Sequence, residues 1–69
     1  MKVIIKYIKF QHMFGRVIAI GQLQNVEDES VLLQGSVAQM LQLAETEKLE
    51  IVNAQEVLDI LVRKGGFGA

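Results

Sequence analysis

A chain of 69 residues without cysteine excludes a disulfide-stapled domain and a thiolate metal site. Its net charge of −1 and pI near 5.7 argue against a strongly basic protein that coats nucleic acid. Hydrophobic residues make up 51% of the chain, which is high for a domain whose small core supplies about 3–5 kcal/mol of net stability. We therefore expect one domain that shares apolar surface with another copy.

The first predicted element is a strand over residues 2–10, which are rich in β-branched and aromatic side chains and contain no Gly or Pro. Strict alternation gives one face three residues, Val3, Ile5 and Tyr7. The other face receives three apolar residues and two lysines, Ile4, Ile8, Phe10, Lys2 and Lys6. Apolar residues on both faces favour a central strand, or one covered by a neighbouring chain.

A hairpin and a third strand are predicted next. Gly15 supplies a permissive φ in a turn over residues 11–15, so a loop of about three to five residues leads to a second strand over residues 16–24. Gly21 within that strand is typical of a bulge or a close backbone approach. A polar turn over residues 25–29 precedes a short strand over residues 30–34.

Two helices are predicted behind the strands. Ser36 and Gln39 have capping-box spacing, and one helix face follows them: Val37, Met40, Leu41 and Ala44. Asn53 and Glu56 repeat the cap signal before a second face: Ala54, Val57, Leu58, Leu61 and Val62. Gly65 is typical of a helix C-cap.

The stretch between the caps, residues 45–52, has three interpretations. It is helix, it contains a short strand at 48–52, or it belongs to one helix of about 28 residues with an apolar heptad repeat. We prefer a break near residues 46–53. The predicted fold is α+β: a three-stranded antiparallel meander followed by two helices packed on one face, β-β-β-α-α or alternatively β-β-β-α-β-α. Residues 1–66 form the domain and 67–69 a frayed tail.

No catalytic or metal site is predicted. His12 is the only histidine and has no nucleophile beside it in the sequence, so we interpret it as a polar turn residue. The acidic run Glu27, Asp28 and Glu29 lacks the ligand spacing of a calcium loop and is interpreted as a solvated turn. We expect no enzymatic activity, no cofactor and no small-molecule substrate.

Charge is segregated along the chain. Residues 1–24 hold four cations and no acid, and residues 25–56 hold seven acids and one cation, so these segments carry +4 and −6. Such segregation can steer contact between copies or attract a charged partner.

The favoured function is a non-enzymatic interaction module that completes its core as a homo-oligomer, by edge-strand pairing or through a helical face. The predicted interface residues are Val3, Ile5, Tyr7, Val37, Met40, Leu41, Val57, Leu58 and Leu61. The alternative is a small nucleic-acid-binding regulator that uses the basic N-terminal hairpin, where aromatic residues are interleaved with cations. Its predicted contacts are Lys2, Lys6, Lys9 and Arg16.

A second alternative comes from the two ends of the chain. Residues 61–66, Leu-Val-Arg-Lys-Gly-Gly, resemble the last strand and diglycine of ubiquitin-like modifiers, and residues 1–10 resemble their opening strand. The resemblance implies a protein modifier from which residues 67–69 are removed. That family has a helix after the first hairpin and a strand before the diglycine, whereas residues 53–64 here carry a cap and a helical face.

No targeting segment is evident. Lys6 and Lys9 interrupt the first apolar run too early for a signal-peptide core, and no window approaches the ~20 apolar residues of a membrane span. We expect a cytoplasmic protein without a membrane partner, or a phage or virus protein made in a host cytoplasm.

Overall fold

In the computed structural model, which describes residues 1–63, four strands and two helices follow in the order β-β-β-α-β-α. Their bounds are β1 Lys2–Met13, β2 Arg16–Asn25, β3 Val31–Ser36, α1 Val37–Glu47, β4 Glu50–Ile51 and α2 Ala54–Arg63. The sheet order is β3-β2-β1-β4, in which β1 to β3 form an antiparallel meander and β4 lies parallel to β1. The predicted α+β class is confirmed, and the predicted break between the helices contains β4.

The core lies on one face of the sheet, beneath both helices. Its buried apolar residues come from two strands and two helices: Val3, Ile5, Ala19, Leu23, Val37, Met40, Val57 and Leu61. The helix α1 packs mainly on β2 and β3. The two predicted helix faces therefore supply core residues, although Leu58 and Val62 of the second face stay exposed.

A bulge interrupts β1 after its first five residues. Lys6 pairs with Gln22 and Lys9 pairs with Ile20, so two residues of β1 stand opposite the single residue between those partners. The first of the two, Tyr7, has a φ of 59°, the left-handed conformation found at the first position of one bulge class. A side chain with a Cβ pays about 1–2 kcal/mol for that conformation.

The bulge makes the predicted alternation wrong beyond residue 6, because one extra residue reverses every later side chain. Ile8 and Phe10, predicted on the face of Lys6, pack against the core instead. Lys9 correspondingly joins the face of Lys6. Tyr7, predicted beside the core residues, is 67% exposed.

The turn between β1 and β2 has two residues, Phe14 and Gly15, rather than the predicted three to five. Their φ values of 51° and 74° are both positive, the signature of a type I′ turn, whose twist suits a hairpin. Met13 pairs with Arg16 directly across the turn. The strand β1 therefore extends to Met13, past its predicted end, and carries His12 in a strand rather than in a turn.

The conformation at Phe14 predicts a stabilising substitution. The ring is 96% exposed, so it gains little from packing in the single chain. Asn is the residue that type I′ turns prefer before Gly, and we expect Phe14→Asn to raise the free energy of unfolding by about 1 kcal/mol. Urea unfolding at low micromolar concentration measures it, and Phe14→Ala, which removes the ring without the left-handed preference, is the control. Equal stability of the two variants would contradict the turn-strain explanation.

The ends of α1 depart from the predicted caps. Ser36 precedes the helix with an extended backbone, but its side chain makes no capping hydrogen bond, so the predicted capping box with Gln39 is not formed. At the other end Lys48 is left-handed, with a φ of 55°, and the Leu49 N–H donates to the Ala44 carbonyl at 2.8 Å. This closure ends α1 and rules out one continuous helix. Neither helix in residues 1–63 is long and apolar enough to cross a membrane.

The side chain of Asn53 joins β1 instead of capping α2 as predicted. The Ile5 N–H donates to Asn53 Oδ1 at 3.2 Å, and Asn53 Nδ2 donates to the Ile5 carbonyl at 2.8 Å. One step earlier the Val52 N–H donates to the Val3 carbonyl at 2.9 Å. The amide therefore continues the parallel ladder by one position, satisfying two backbone groups that β4 is too short to reach.

The helix α2 also bears on the ubiquitin-like alternative. Leu61, Val62 and Arg63 belong to α2, whereas the resemblance places them in a strand. The first hairpin is followed by β3 rather than by a helix. The fold that the resemblance implies is therefore wrong. The diglycine, the predicted cap at Gly65 and the tail 67–69 lie outside the described residues.

Candidate functional site

The sheet face turned away from the helices, here called the open face, carries the side chains that alternate with the core residues. Because directly paired residues share a face, the register of β1 and β2 assigns its members. Its cations are Lys2, Lys6, Lys9 and Arg16. Its central uncharged residues include Ile4, Ile18, Ile20, Gln22 and Gln34.

The four cations predicted to contact nucleic acid thus share one face. Simple alternation places Lys2 and Lys6 there on β1 and Arg16 there on β2, and the bulge adds Lys9, which would otherwise lie on the core side. Residues 1–26 contain no acid. The acid closest in register is Glu50 of β4, which pairs with Lys2 at one end of the face.

A cavity of about 500 Å³ opens on this face beside the bulge. Its lining combines an aromatic ring, a cation, two amides and exposed backbone: Tyr7, Lys9, Ile20, Gly21, Gln22, Gln34 and Gly35. Gln22 and Gln34 are direct neighbours across β2 and β3. Gln22 Oε1 accepts a hydrogen bond from Gln24 Nε2 at 3.0 Å, which holds the Gln22 amide in place without using its NH₂ group. The cavity therefore offers stacking, charge and amide hydrogen bonding together.

The acidic turn is held by hydrogen bonds between its own residues, as is expected of a solvated turn. Asp28 Oδ1 accepts from the Ser30 N–H at 3.0 Å and from the Ser30 hydroxyl at 2.7 Å. The backbone bond first, and then the hydroxyl bond, hold the pKa of Asp28 below its ordinary value. Within residues 1–63 no three His, Asp or Glu side chains converge as metal ligands.

The nine residues predicted as an interface do not form a surface of the single chain. Six of them are buried in its own core, Val3, Ile5, Val37, Met40, Val57 and Leu61. Leu41 is half-buried against that core, whereas Tyr7 and Leu58 are 67% and 40% exposed. The six buried residues stabilise the monomer and are not available to a partner, so any contact must involve other side chains.

No protein-family model, curated protein or solved structure matches this chain. Only the geometry of the chain itself therefore bears on its function.

Exposed apolar residues cluster at the tip of the β1–β2 hairpin. Phe14 is almost wholly exposed, and Met13 and Val17 flank it with about two-fifths of their surface exposed. Sequence reasoning missed this cluster because it assigned residues 11–15 to a loop of three to five residues between the strands. The signal that could have found it is the Phe-Gly dipeptide between two apolar-rich strands, which fits a two-residue turn.

Within residues 1–63, the outer edge of β1 is covered by a strand only at its beginning. The strand β4 pairs with Lys2 and Val3, and the Asn53 side chain hydrogen-bonds to the backbone of Ile5. Beyond Ile5, none of the strands in the part of the chain that the structure describes lies beside this edge.

The backbone groups of that uncovered edge follow from the hairpin register. The pair flanking a two-residue hairpin exchanges hydrogen bonds, and bonded pairs alternate along the ladder, so Met13, Gln11 and Lys9 bond to β2. Ile8, Phe10 and His12 therefore direct their N–H and C=O groups outward. We call these three positions the free edge.

Proposed function

We propose that this chain is a non-enzymatic assembly module that self-associates by pairing its free edge with the free edge of a second copy. The observation that supports this is the mismatch between β1, which runs to Met13, and β4, which is two residues long. A row of unpaired N–H and C=O groups on an edge strand is a template for another strand. Pairing with a second copy satisfies these groups on both chains at once.

An antiparallel pair around a two-fold axis at Phe10 uses the whole free edge. Phe10 then faces its own copy, and Ile8 faces His12 of the second copy, so each of the three positions exchanges hydrogen bonds. On the other side of the strand Lys9 faces Gln11, and no like charges are opposed. Aromatic and β-branched cross-strand pairs are stabilising, which favours this register over its neighbours.

The same register brings each hairpin tip against the other chain. Met13 of the second copy lies opposite Tyr7, and Phe14 follows it along the edge. Phe14 and Tyr7 are among the most exposed large apolar side chains of the single chain, and Met13 is partly exposed. Contact with a partner buries apolar surface that a domain this small cannot bury within one chain.

The experiment measures mass by light scattering and sedimentation across the micromolar range for the full chain. We expect a concentration-dependent dimer. His12→Pro removes one outward N–H from each copy while leaving the β1–β2 ladder intact, because the His12 N–H points away from β2. Two lost hydrogen bonds per dimer and the steric block should weaken association about tenfold or more.

His12→Thr is the matched control, since it removes the same imidazole but keeps the N–H, and we expect it to dimerise as wild type does. Far-UV circular dichroism checks that both variants keep the sheet. A wild-type chain that remains monomeric throughout the range would overturn the proposal. So would a His12→Pro variant that associates as tightly as His12→Thr, because association would then use another surface.

A further inference from the structure

We propose that the open face binds single-stranded nucleic acid, with a base stacked on Tyr7 at the cavity and the phosphates held by the surrounding cations. The site is formed within one chain. The dimer register proposed above places Met13 of the second copy against Tyr7, so self-association and base stacking compete for that ring. The site contains Tyr7, the strained residue of β1, and lies on the sheet face opposite the core.

The bulge completes the electrostatic part of the site, because it moves Lys9 to the face of Lys6 and Arg16. Lys6 and Lys9 flank the bulge on the same face, about 7 Å apart along the strand, which is one side-chain repeat. Arg16 continues the line toward the hairpin tip. Glu50 is next to Lys2 at the opposite end, so the positive potential is centred on the cavity rather than on the whole protein. A local positive groove that tracks the backbone is the common feature of single-strand binding, and it is compatible with a net charge of −1.

The stacking part of the site is Tyr7. A bulky residue in a left-handed conformation is an outlier, and such strain is found preferentially at functional positions. Gly or Asn would adopt the same left-handed conformation with less backbone strain. The feature that Tyr7 adds in exchange for this strain is its aromatic ring. The ring is two-thirds exposed and lines the cavity together with Lys9. It therefore offers a free π-face beside a cation, the arrangement on which unpaired bases stack.

The cavity supplies the remaining contacts that a base requires. Gln22 and Gln34 are paired across neighbouring strands at its wall, and a carboxamide can both donate to and accept from the edge of a base. Ile20 provides an apolar surface beside them. A duplex would keep its bases stacked and out of reach of Tyr7, so the occupant that fits is a single strand. An acidic peptide shares the charge of nucleic acid but has no bases to stack.

The test uses fluorescence anisotropy of a labelled oligothymidylate of about 15 nucleotides with the full chain. We expect binding at about 50 mM salt that weakens steeply by about 200 mM. Lys9→Glu should weaken binding about tenfold at the lower salt. Tyr7→Asn should also weaken it about tenfold, with an unchanged salt slope, because it removes stacking and no charge. Asn tolerates the left-handed conformation, so the bulge is kept.

Two controls make the result specific. Lys48→Glu makes the same charge change at the end of α1, away from the open face, and Tyr7→Phe keeps the ring; both should bind within about twofold of wild type. No binding at the lower salt overturns the proposal. Equal losses in Lys48→Glu and Lys9→Glu, or unchanged affinity in Tyr7→Asn, also overturn it. Competition by polyglutamate as effective as that by unlabelled oligothymidylate would show a general polyanion surface and reject the nucleic-acid assignment.

Discussion

Asn53→Asp is expected to lower the free energy of unfolding by about 2–3 kcal/mol, a large part of the stability of a domain this small. The substitution removes the NH₂ group that donates to the Ile5 carbonyl at 2.8 Å and puts a carboxylate oxygen against that carbonyl. The position is half-buried, so water replaces the lost donor poorly. Urea unfolding at fixed protein concentration measures the change as a lower midpoint.

Asn25→Asp is the matched control for this change. Asn25 Oδ1 only accepts, from the Glu27 N–H at 2.8 Å, and a carboxylate accepts equally well, so we expect a loss within about 0.5 kcal/mol. Low pH gives a second check. At position 53 the introduced carboxyl can donate to the Ile5 carbonyl only when protonated, so its pKa is raised in the folded state and the deficit should shrink as the pH falls through it. A similar loss in both variants, or a deficit that is independent of pH, would contradict the ladder role of Asn53.

Gly21→Val is expected to destabilise the chain by about 3 kcal/mol. A Cβ at Gly21 would lie 3.0 Å from the Lys6 carbonyl oxygen and 3.5 Å from side-chain carbons of Ile5 and Ile8. The closest atom belongs to the backbone beside the bulge, so the strand itself would have to move. The high strand propensity of valine does not offset that displacement. Thermal and urea unfolding of the variant measure the effect.

Gly15→Asn is the control for Gly21→Val, because it replaces another glycine of the same hairpin. No atom lies within 4 Å of a Cβ built at Gly15, and its φ of 74° is one that Asn tolerates. We expect a loss of less than about 1 kcal/mol. If Gly21→Val unfolds at the same denaturant concentration as Gly15→Asn, then the close approach at the bulge is not a packing constraint.

The bulge explains most of the difference between the predicted and the observed surfaces. Strict alternation would put Lys9 on the face opposite Lys6, although both belong to the predicted nucleic-acid contacts. The extra residue at Tyr7 reverses every side chain that follows it, which sends Phe10 inward and Lys9 outward. Gly21 was a correct local signal for close backbone approach, but it did not indicate which residue of β1 would be inserted opposite it.

The capping signals predicted where the helices begin but not the hydrogen bonds that the capping residues make. Ser36 and Asn53 marked where the two helices begin, and the structure places both helices within one residue of those positions. What the side chain of Asn53 does was not predictable, because its partner, Ile5, is 48 residues away in the sequence. Lys48 ends α1 in a left-handed conformation that carries no glycine signal.

The sequence by itself determined the order of the first three strands and the two helices, the α+β class and the helix faces that supply core residues. Each of these follows from hydrophobic period and turn chemistry over a few neighbouring residues. Only the tertiary structure decided that all four cations occupy one side of the sheet and that six of the nine predicted contact residues are buried in the core. It also decided which edge lacks a partner strand within residues 1–63. These properties depend on strand register, and register is set by pairing between residues that are distant along the chain.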